Sequence, residues 1–215
     1  MKLKPKSRLL MIGDSITDAD RKRPQGEGLF EAYGKGYVNL VNGLLTADYP
    51  AHQIRVTNMG GSGNTVLDLK ARWQTDVLDL KPDWLSIMIG VNDVWRQFDL
   101  PHIPEGHVGL DVYEATLDDL VRQTLPQLKG LILMTPFMIE PNAREPMRAR
   151  MDQYGSVVKK LARRHGAILV DTQAAFNAAM KHIHPMTLAW DRIHPGTPGH
   201  MILAKAFLQG IGARS

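Results

Sequence analysis

Short apolar runs alternate regularly with longer amphipathic segments along this sequence, and few folds are compatible with such an order. Each run is four to six residues long, is almost wholly apolar and is bounded by Gly, Pro, Asp or Asn. This pattern favours strands that are buried on both faces, as in a parallel sheet. It predicts five strands: Arg8–Ile12, Ile54–Asn58, Trp84–Ile89, Gly130–Thr135 and Ala167–Val170.

The segments between the runs have the helical spacing of apolar residues. They predict helices over about Gly36–Asp48, Thr65–Asp79, Leu110–Leu125, Glu145–His165, Gln173–His182 and Gly199–Ile211. Strands and helices that alternate five times imply right-handed crossovers, and therefore a three-layer α/β/α sandwich with a five-stranded parallel sheet. In such a sheet, ligands bind beyond the carboxyl ends of the strands. Three Pro- and Gly-rich stretches are expected to form loops around that edge: Arg21–Gly28, Leu100–Gly109 and Pro136–Pro146.

Composition excludes several kinds of site and partner. The chain has 215 residues, which suits one compact domain over residues 1–215. It contains no cysteine, so a thiol nucleophile, a disulfide framework and a thiolate zinc site are excluded. The net charge is +4, but the basic groups are short and scattered. We expect them to be solvated surface residues and do not predict a nucleic-acid partner.

No membrane segment or leader is predicted. No apolar stretch approaches the roughly 20 residues that a membrane helix needs. The apolar run 9–12 follows several lysines but stops at Gly13 and Asp14, and no small-residue cleavage site follows. Together with the lack of cysteine, these features predict a cytoplasmic protein without a membrane partner.

A serine lies directly after the first predicted strand, in the sequence Gly-Asp-Ser-Ile of residues 13–16. This position places Ser15 at the ligand-binding edge of the sheet, with its backbone N–H free to point at a ligand. The motif alone is weak, because three such residues occur together by chance in other chains. The hydroxyl of Ser15 or Thr17 could instead cap a turn or a helix.

Two further strands are followed by residues that could bind a developing oxyanion. The second strand runs into Gly-Gly-Ser-Gly-Asn-Thr at 60–65, where Gly63 could expose an N–H near a helix N-terminus. The third is followed by Gly-Val-Asn-Asp at 90–93, and the Asn92 amide could donate to the same oxyanion. The alternatives are a tight turn in which Asn64 or Thr65 caps the helix, and a structural asparagine that bridges two loops.

Asp191 and His194 stand three residues apart in a loop after the fifth predicted strand. A serine needs a nearby base to act as a nucleophile, and that imidazole needs a carboxylate to fix its tautomer and stabilise its cation. Asp191 and His194 could supply both groups to Ser15. His200 opens the last helix and is expected to position this turn, while the other histidines are assigned to the surface or to packing.

In this order and spacing, the four motifs resemble those of the SGNH (GDSL-like) hydrolases over residues 8 to 210. The signature residues are Ser15, Gly63, Asn92 and His194, and the first block ends in Ile where the family has Leu. The resemblance implies a flavodoxin-like SGNH hydrolase fold and a catalytic triad of Ser15, His194 and Asp191. It also implies an oxyanion hole of the Ser15 and Gly63 backbone N–H groups with the Asn92 side chain, and no metal or organic cofactor.

Three longer segments, 62–65, 89–96 and 188–195, look like those of the small intracellular bacterial acetylxylan esterases of the SGNH type. This resemblance implies removal of O-acetyl groups from xylan-derived saccharides, so that the partner is a small-molecule or oligosaccharide ester. Trp95 and Trp190 flank the motifs and could stack on a sugar ring, or could equally be core tryptophans. A homo-oligomer is compatible with such a fold, although no sequence feature indicates one.

Two other functions stay open at the level of sequence. A lysophospholipase or thioesterase on the same fold would share every triad residue and differ only in its pocket. A non-catalytic phosphate or nucleotide binder could use the loop after the first strand, although the chain has neither Gly-x-Gly-x-x-Gly after that strand nor a Gly-Lys-Ser/Thr loop. Such a binder would also leave the Asp191–His194 pair without a role.

Overall fold

A computed structural model describes residues 1–213 and contains one five-stranded parallel sheet between helices. The strands are β1 (Arg8–Gly13), β2 (Arg55–Asn58), β3 (Trp84–Met88), β4 (Gly130–Met134) and β5 (Ile168–Val170). Their spatial order is β2-β1-β3-β4-β5, and all four neighbouring pairs are parallel. The predicted fold class is confirmed. Because the chain adds β2 on one side of β1 and β3 on the other, its topological switch point lies between β1 and β3.

The central strands are buried on both faces, as their apolar composition requires. Every residue of β3 is buried, and in β1 only Arg8 is partly exposed. Leu10 pairs with Leu85, which pairs with Leu131, so a row of leucines crosses three strands. Burial of such rows against helices on both sides stabilises the sheet and leaves polar residues to the strand ends.

The structure describes nine α-helices in residues 1–213. They are α1 (Ser15–Asp18), α2 (Tyr37–Asp48), α3 (Val66–Trp73), α4 (Val91–Asp99), α5 (Leu110–Thr124), α6 (Pro146–His165), α7 (Thr172–Ala179), α8 (Pro185–Leu188) and α9 (Thr197–Gly210). One group joins α2 and α7 to α9; in the other, α3 contacts α5, α5 contacts α6, and α6 contacts α4. None of the helices in the described part of the chain combines the length and the apolar character needed to cross a membrane.

Three helices, α1, α4 and α8, are absent from the sequence prediction, and α4 is the longest of them. Gly90, Asn92 and Asp93 favour a loop after β3. However, the apolar residues of this segment have the i, i+3, i+4, i+7 spacing of a helix face: Val91, Val94, Trp95 and Phe98. The structure buries Val91 and Val94 on that face. Asn92 is therefore held on a helix that the sequence did not predict.

The loop predicted at 136–146 is a loop, but its first residues belong to the core. Phe137, Met138 and Ile139 are each at most 1% exposed. The Ile139 backbone N–H donates to the Arg192 carbonyl at 2.8 Å. The loop therefore supports the turn that contains Asp191 and His194.

Arg21 departs from the expectation that the basic groups are solvated. The residue is buried, and its guanidinium donates to the backbone carbonyls of Gly60, Lys22 and Pro24. Burial lowers the pKa of Arg21 to about 10, so the group stays protonated at neutral pH. The bonds to Gly60 and Pro24 tie the segment after α1 to the residues that follow β2.

Candidate active site

The turn after β1 depends on a glycine and an aspartate. A Cβ on Gly13 would overlap the Met88 carbonyl oxygen and the Thr17 hydroxyl, so only glycine fits there. Asp14 then caps α1 through its Oδ1, which accepts a hydrogen bond from the backbone N–H of residue 16 at 3.0 Å. Ser15 consequently becomes the first residue of α1, beyond the carboxyl end of β1.

Ser15, His194 and Asp191 form a hydrogen-bonded line at this edge of the sheet. Ser15 Oγ lies 2.8 Å from His194 Nε2. On the other side of the ring, His194 Nδ1 lies 2.6 Å from Asp191 Oδ2. The serine is 179 residues from the histidine in sequence. In this arrangement the imidazole can take a proton from the hydroxyl while the carboxylate fixes its tautomer and stabilises its cation.

The turn 191–194 is organised by the same aspartate. Asp191 Oδ1 accepts hydrogen bonds from the backbone N–H groups of Ile193, at 2.9 Å, and His194, at 2.8 Å. Arg192 has a φ of 65°, a left-handed conformation that lets the chain double back. Asp191 therefore sets both the backbone and the ring orientation of His194.

The charge of Asp191 is stabilised by these bonds. Partial burial raises its pKa, but the hydrogen bonds from the His194 ring and from the backbone N–H groups of His194 and Ile193 outweigh that effect. The net pKa is lowered from its usual value. The group is therefore a carboxylate at neutral pH, as the orientation of an imidazolium requires.

Two backbone N–H groups at this edge are open to a ligand. Gly63 has a φ of 78°, which favours glycine, and a Cβ there would meet open space. The glycine is thus required by the backbone angle and not by a lack of room. Within residues 1–213, no hydrogen bond takes up the backbone N–H of Ser15 or of Gly63. Both donors can bind a ligand oxygen.

Asn92 lies on α4 and is 2% exposed. Its Nδ2 donates to the Asn64 carbonyl at 3.0 Å, so it links α4 to the loop after β2, a structural contact similar to the bridging role considered for this residue. An amide nitrogen carries two hydrogens, and one of them is used in this bond. The bridging contact therefore leaves a second donor, and the oxyanion role of Asn92 stays a prediction.

Two buried carboxyl groups lie beside these loops. In the described residues, two buried side-chain oxygen atoms have no hydrogen-bond partner: Asp14 Oδ2 and Asp93 Oδ2. The other oxygen of Asp93 accepts from the Val66 backbone N–H at 3.0 Å, at the start of α3. Burial raises the pKa of each carboxyl to about 7, although a backbone hydrogen bond opposes the shift in both. The nearby Asp14 carboxylate contributes to the raised pKa of Asp93.

A cavity of about 460 Å³ opens beside Ser15 and His194. Its walls mix small apolar and polar side chains, among them Ile16, Ala19, Ser62, Pro195 and Thr197. An exposed ion pair between Lys35 and Asp20, 3.2 Å apart, also lines it. This lining suits a ligand with both polar and short apolar groups.

The two tryptophans differ in environment. Trp95 is partly buried against the core, and its ring centroid lies 5.6 Å from that of His194. Trp190 is 82% exposed, so the core alternative is wrong for that residue. It lines a separate cavity with Pro141, Pro185 and Met186. Contact of either ring with a sugar stays a prediction.

His200 joins two helices at the wall of the first cavity. Its Nδ1 accepts a hydrogen bond from the Tyr37 backbone N–H at 3.2 Å, so the start of α2 is linked to α9. Burial, with a smaller contribution from the nearby His194, lowers the pKa of His200 to about 4. The ring is neutral at physiological pH and acts as an acceptor.

The sequence matches the GDSL-like lipase/acylhydrolase family over residues 11–202. The chain belongs to this family. It is a serine ester hydrolase of the SGNH type, and the enzyme class expected from the four motifs is confirmed.

Full-length relatives share both sequence and fold. The chain is 62% identical over 212 residues to the acetylxylan esterase of Geobacillus stearothermophilus. The aligned region covers 99% of this chain and 97% of that protein. A crystal structure of that esterase aligns with a TM-score of 0.98 at 61% identity over 100% of both chains. An alpha/beta hydrolase enzyme from the metagenome of Lake Arreo, Spain, aligns with a TM-score of 0.99 at 54% identity, again over 100% of both.

Three further structures of the Geobacillus esterase are of catalytic mutants, namely S15A, D191A and H194A of that protein. The present chain has a serine, an aspartate and a histidine at the same three numbers.

Sequence reasoning missed the side chains that hold the loop after β2. Asp18 Oδ2 accepts from the Ser62 backbone N–H at 3.0 Å and from its hydroxyl at 3.1 Å. Arg72 donates to Asn64 Oδ1 and to the Met59 carbonyl, each at 2.8 Å. These partners are distant in sequence, and a polar residue on an amphipathic helix gives no sign of which distant loop it contacts.

Proposed function

We propose that this enzyme is an acetylxylan esterase that removes O-acetyl groups from xylan-derived saccharides by way of an acetyl-enzyme. The observation that carries the proposal is the hydrogen-bonded line from Ser15 through His194 to Asp191, with Ser15 and His194 in the wall of the first cavity. Identity of 62% over nearly the whole length to an acetylxylan esterase supports the choice of substrate.

The proposed reaction uses each group in turn. His194 Nε2 takes the proton of Ser15 as Oγ attacks the acetyl carbonyl, and Asp191 stabilises the imidazolium that forms. The tetrahedral oxyanion is bound by the backbone N–H groups of Ser15 and Gly63 and by the Asn92 amide. His194 then donates its proton to the departing sugar hydroxyl. Water hydrolyses the acetyl-enzyme by the same route, and the reaction balances without a cofactor.

The walls around the serine support a short acyl group on a polar alcohol. Small side chains such as Ala19 leave room for an acetyl group, and the Lys35–Asp20 pair offers a donor and an acceptor for sugar hydroxyls. The exposed ring of Trp190, next to Asp191, provides a flat apolar face of the kind that stacks on a sugar ring.

Substitution of the nucleophile tests the mechanism. Ser15→Ala is expected to lower kcat on p-nitrophenyl acetate by about 10⁴-fold or more while the protein stays folded. Ser156→Ala is the matched control, because Ser156 is an exposed serine on α6 whose hydroxyl bonds to the Asp152 carbonyl. Ester cleavage by Ser15→Ala at a rate close to that of the parent would show that Ser15 is not the nucleophile.

A substrate panel tests the carbohydrate assignment. We expect the highest kcat/KM on acetylated xylo-oligosaccharides, measured by acetate release, with lower values on p-nitrophenyl octanoate and on an acyl-coenzyme A thioester. A preference for the octanoate or the thioester would show that the enzyme is a lipase or a thioesterase and not a carbohydrate esterase.

Residues 1–215 are proposed to act as one hydrolase domain, located in the cytoplasm, where a cysteine-free chain needs no oxidising environment. A homo-oligomer stays a prediction from the family resemblance. Sedimentation velocity of the purified chain tests it directly.

A further inference from the structure

The guanidinium of Arg72, on α3, lies against residues 59–65, which we call the Gly63 loop. Its Nε donates to Asn64 Oδ1 at 2.8 Å, and its Nη1 donates to the Met59 carbonyl at 2.8 Å. These two acceptors lie near opposite ends of the loop. The side chain is 21% exposed, so the bonds are partly shielded from water.

The same guanidinium also reaches the end of β1, just before the nucleophile. Its Nη2 donates to the Gly13 carbonyl at 3.2 Å, two residues before Ser15. That carbonyl accepts a second bond from the Gly61 backbone N–H at 2.9 Å. A Cβ on Gly61 would lie 3.2 Å from Arg72 Nη2, so the loop and the guanidinium are closely packed. One planar group thus joins the end of β1 to the Gly63 loop.

We propose that Arg72 is a positioning residue for ester hydrolysis, one that fixes the Gly63 N–H relative to Ser15. The inference rests on the proposed function, in which that N–H binds the oxyanion. A guanidinium presents its donors in a rigid plane, and here each of the three nitrogens bonds to a different part of the site. A lysine ammonium could not form the same three bonds at once.

A purely structural role for Arg72 has a different signature. Arg72 Nη1 also forms an ion pair with Asp76 Oδ2 at 2.6 Å, four residues further along the chain. If the role of Arg72 were purely structural, this pair would stabilise the end of α3 and have no effect on the Gly63 loop. Asp76→Asn weakens this ion pair but leaves the bonds to Gly13, Met59 and Asn64. The two roles can therefore be separated by substitution.

The expected kinetic effect is on the transition state. If the Gly63 N–H drifts from its position, the oxyanion loses stabilisation while ground-state binding is unchanged. Arg72→Met removes the donors and keeps most of the alkyl chain. It should lower kcat about 10- to 100-fold, somewhat less than outright loss of an oxyanion donor, with KM within about twofold of the parent.

The experiment compares Arg72→Met, Arg72→Lys and Asp76→Asn with Arg122→Met, a control at an exposed arginine on α5. For each variant, kcat and KM are measured on p-nitrophenyl acetate, together with Ki for an alkylboronic acid that forms a tetrahedral serine adduct. Arg72→Met should raise Ki by about the same factor by which it lowers kcat, and Arg72→Lys should lower kcat about tenfold. Asp76→Asn and Arg122→Met should stay within about twofold of the parent.

Four results would overturn the proposal: kcat of Arg72→Met within twofold of the parent, a rise in KM alone, an equal loss in Asp76→Asn, or an unchanged boronate Ki. If Arg72→Met does not fold, as judged by circular dichroism, Arg72→Lys decides, and full activity in that variant rejects the positioning role. If neither variant folds, Arg72 is a folding residue and the proposal is wrong. Activity of Ser15→Ala reports on the proposed function separately, so the two failures are distinguishable.

Discussion

The carboxyl group of Asp14 has one hydrogen-bonded oxygen, and its other oxygen has no hydrogen-bond partner among residues 1–213. Burial raises its pKa from 3.8 to about 7. The folded chain therefore holds this proton more tightly than the unfolded chain does. The stability that follows is fully present below pH 3.8 and is lost as the pH rises through about 7. The shift corresponds to a free energy on the order of 4 kcal/mol.

Replacement of this carboxyl should make the protein less sensitive to alkaline pH. Asp14→Asn keeps an oxygen that can cap α1 and removes the ionisation. We expect its Tm to fall less than that of the parent between about pH 5.5 and about pH 8.5. Thermal unfolding with Asp119→Asn, at an exposed aspartate of α5, is the control. Equal pH dependence in Asp14→Asn and the parent would show that the buried carboxyl does not titrate in this range.

At Asp191, the two carboxylate oxygens have separate tasks, because Oδ1 binds two backbone N–H groups and Oδ2 binds the His194 ring. Asp191→Asn can keep the first set, but an amide nitrogen facing Nδ1 would favour the wrong imidazole tautomer. We expect kcat at neutral pH to fall by about 10⁴-fold with little change in Tm. A loss smaller than about tenfold would mean that His194 does not depend on this carboxylate.

At the scale of the element, α3 begins with a reciprocal pair of side-chain contacts. Thr65 Oγ1 accepts from the Asp68 backbone N–H, and the Asp68 carboxylate accepts from the Thr65 backbone N–H at 2.7 Å. Thr65→Ala should lower the free energy of unfolding in urea by about 1 kcal/mol. Thr46→Ala, at an exposed position inside α2, should change it by less than about 0.5 kcal/mol. Equal effects at the two positions would contradict the capping role of Thr65.

How well an element could be predicted depended on how much its own residues determine it. The strands follow from local composition, because a run such as Trp84–Met88 must be buried on both faces wherever it lies. The helix α4 was missed because Gly90 and the polar residues after it resemble a turn, although its apolar spacing is helical. The burial of residues 137–139 was not predicted, because Pro at both ends of the stretch 136–146 favours a loop and loops are usually exposed.

At the scale of the molecule, strand order brings the predicted site residues together. Ser15 follows β1, Gly63 follows β2 and Asn92 follows β3, so adjacent strands deliver all three to one edge of the sheet. His194 comes to the same edge from the segment between α8 and α9. A topological rule could therefore predict this convergence without coordinates. The side chains that brace it, such as Arg72, could not be predicted because their partners are set only when distant segments pack.

The proposed mechanism depends most on activation of Ser15 by His194. The measurement that tests it most directly is mass spectrometry of peptides after treatment with diethyl p-nitrophenyl phosphate, applied to the parent and to His194→Ala. We predict about one diethylphosphoryl group per parent chain, on Ser15, with loss of esterase activity in proportion, and labelling slowed by at least about 10³-fold in His194→Ala. Labelling of another residue, or equal rates in the two proteins, would contradict activation of Ser15 by His194.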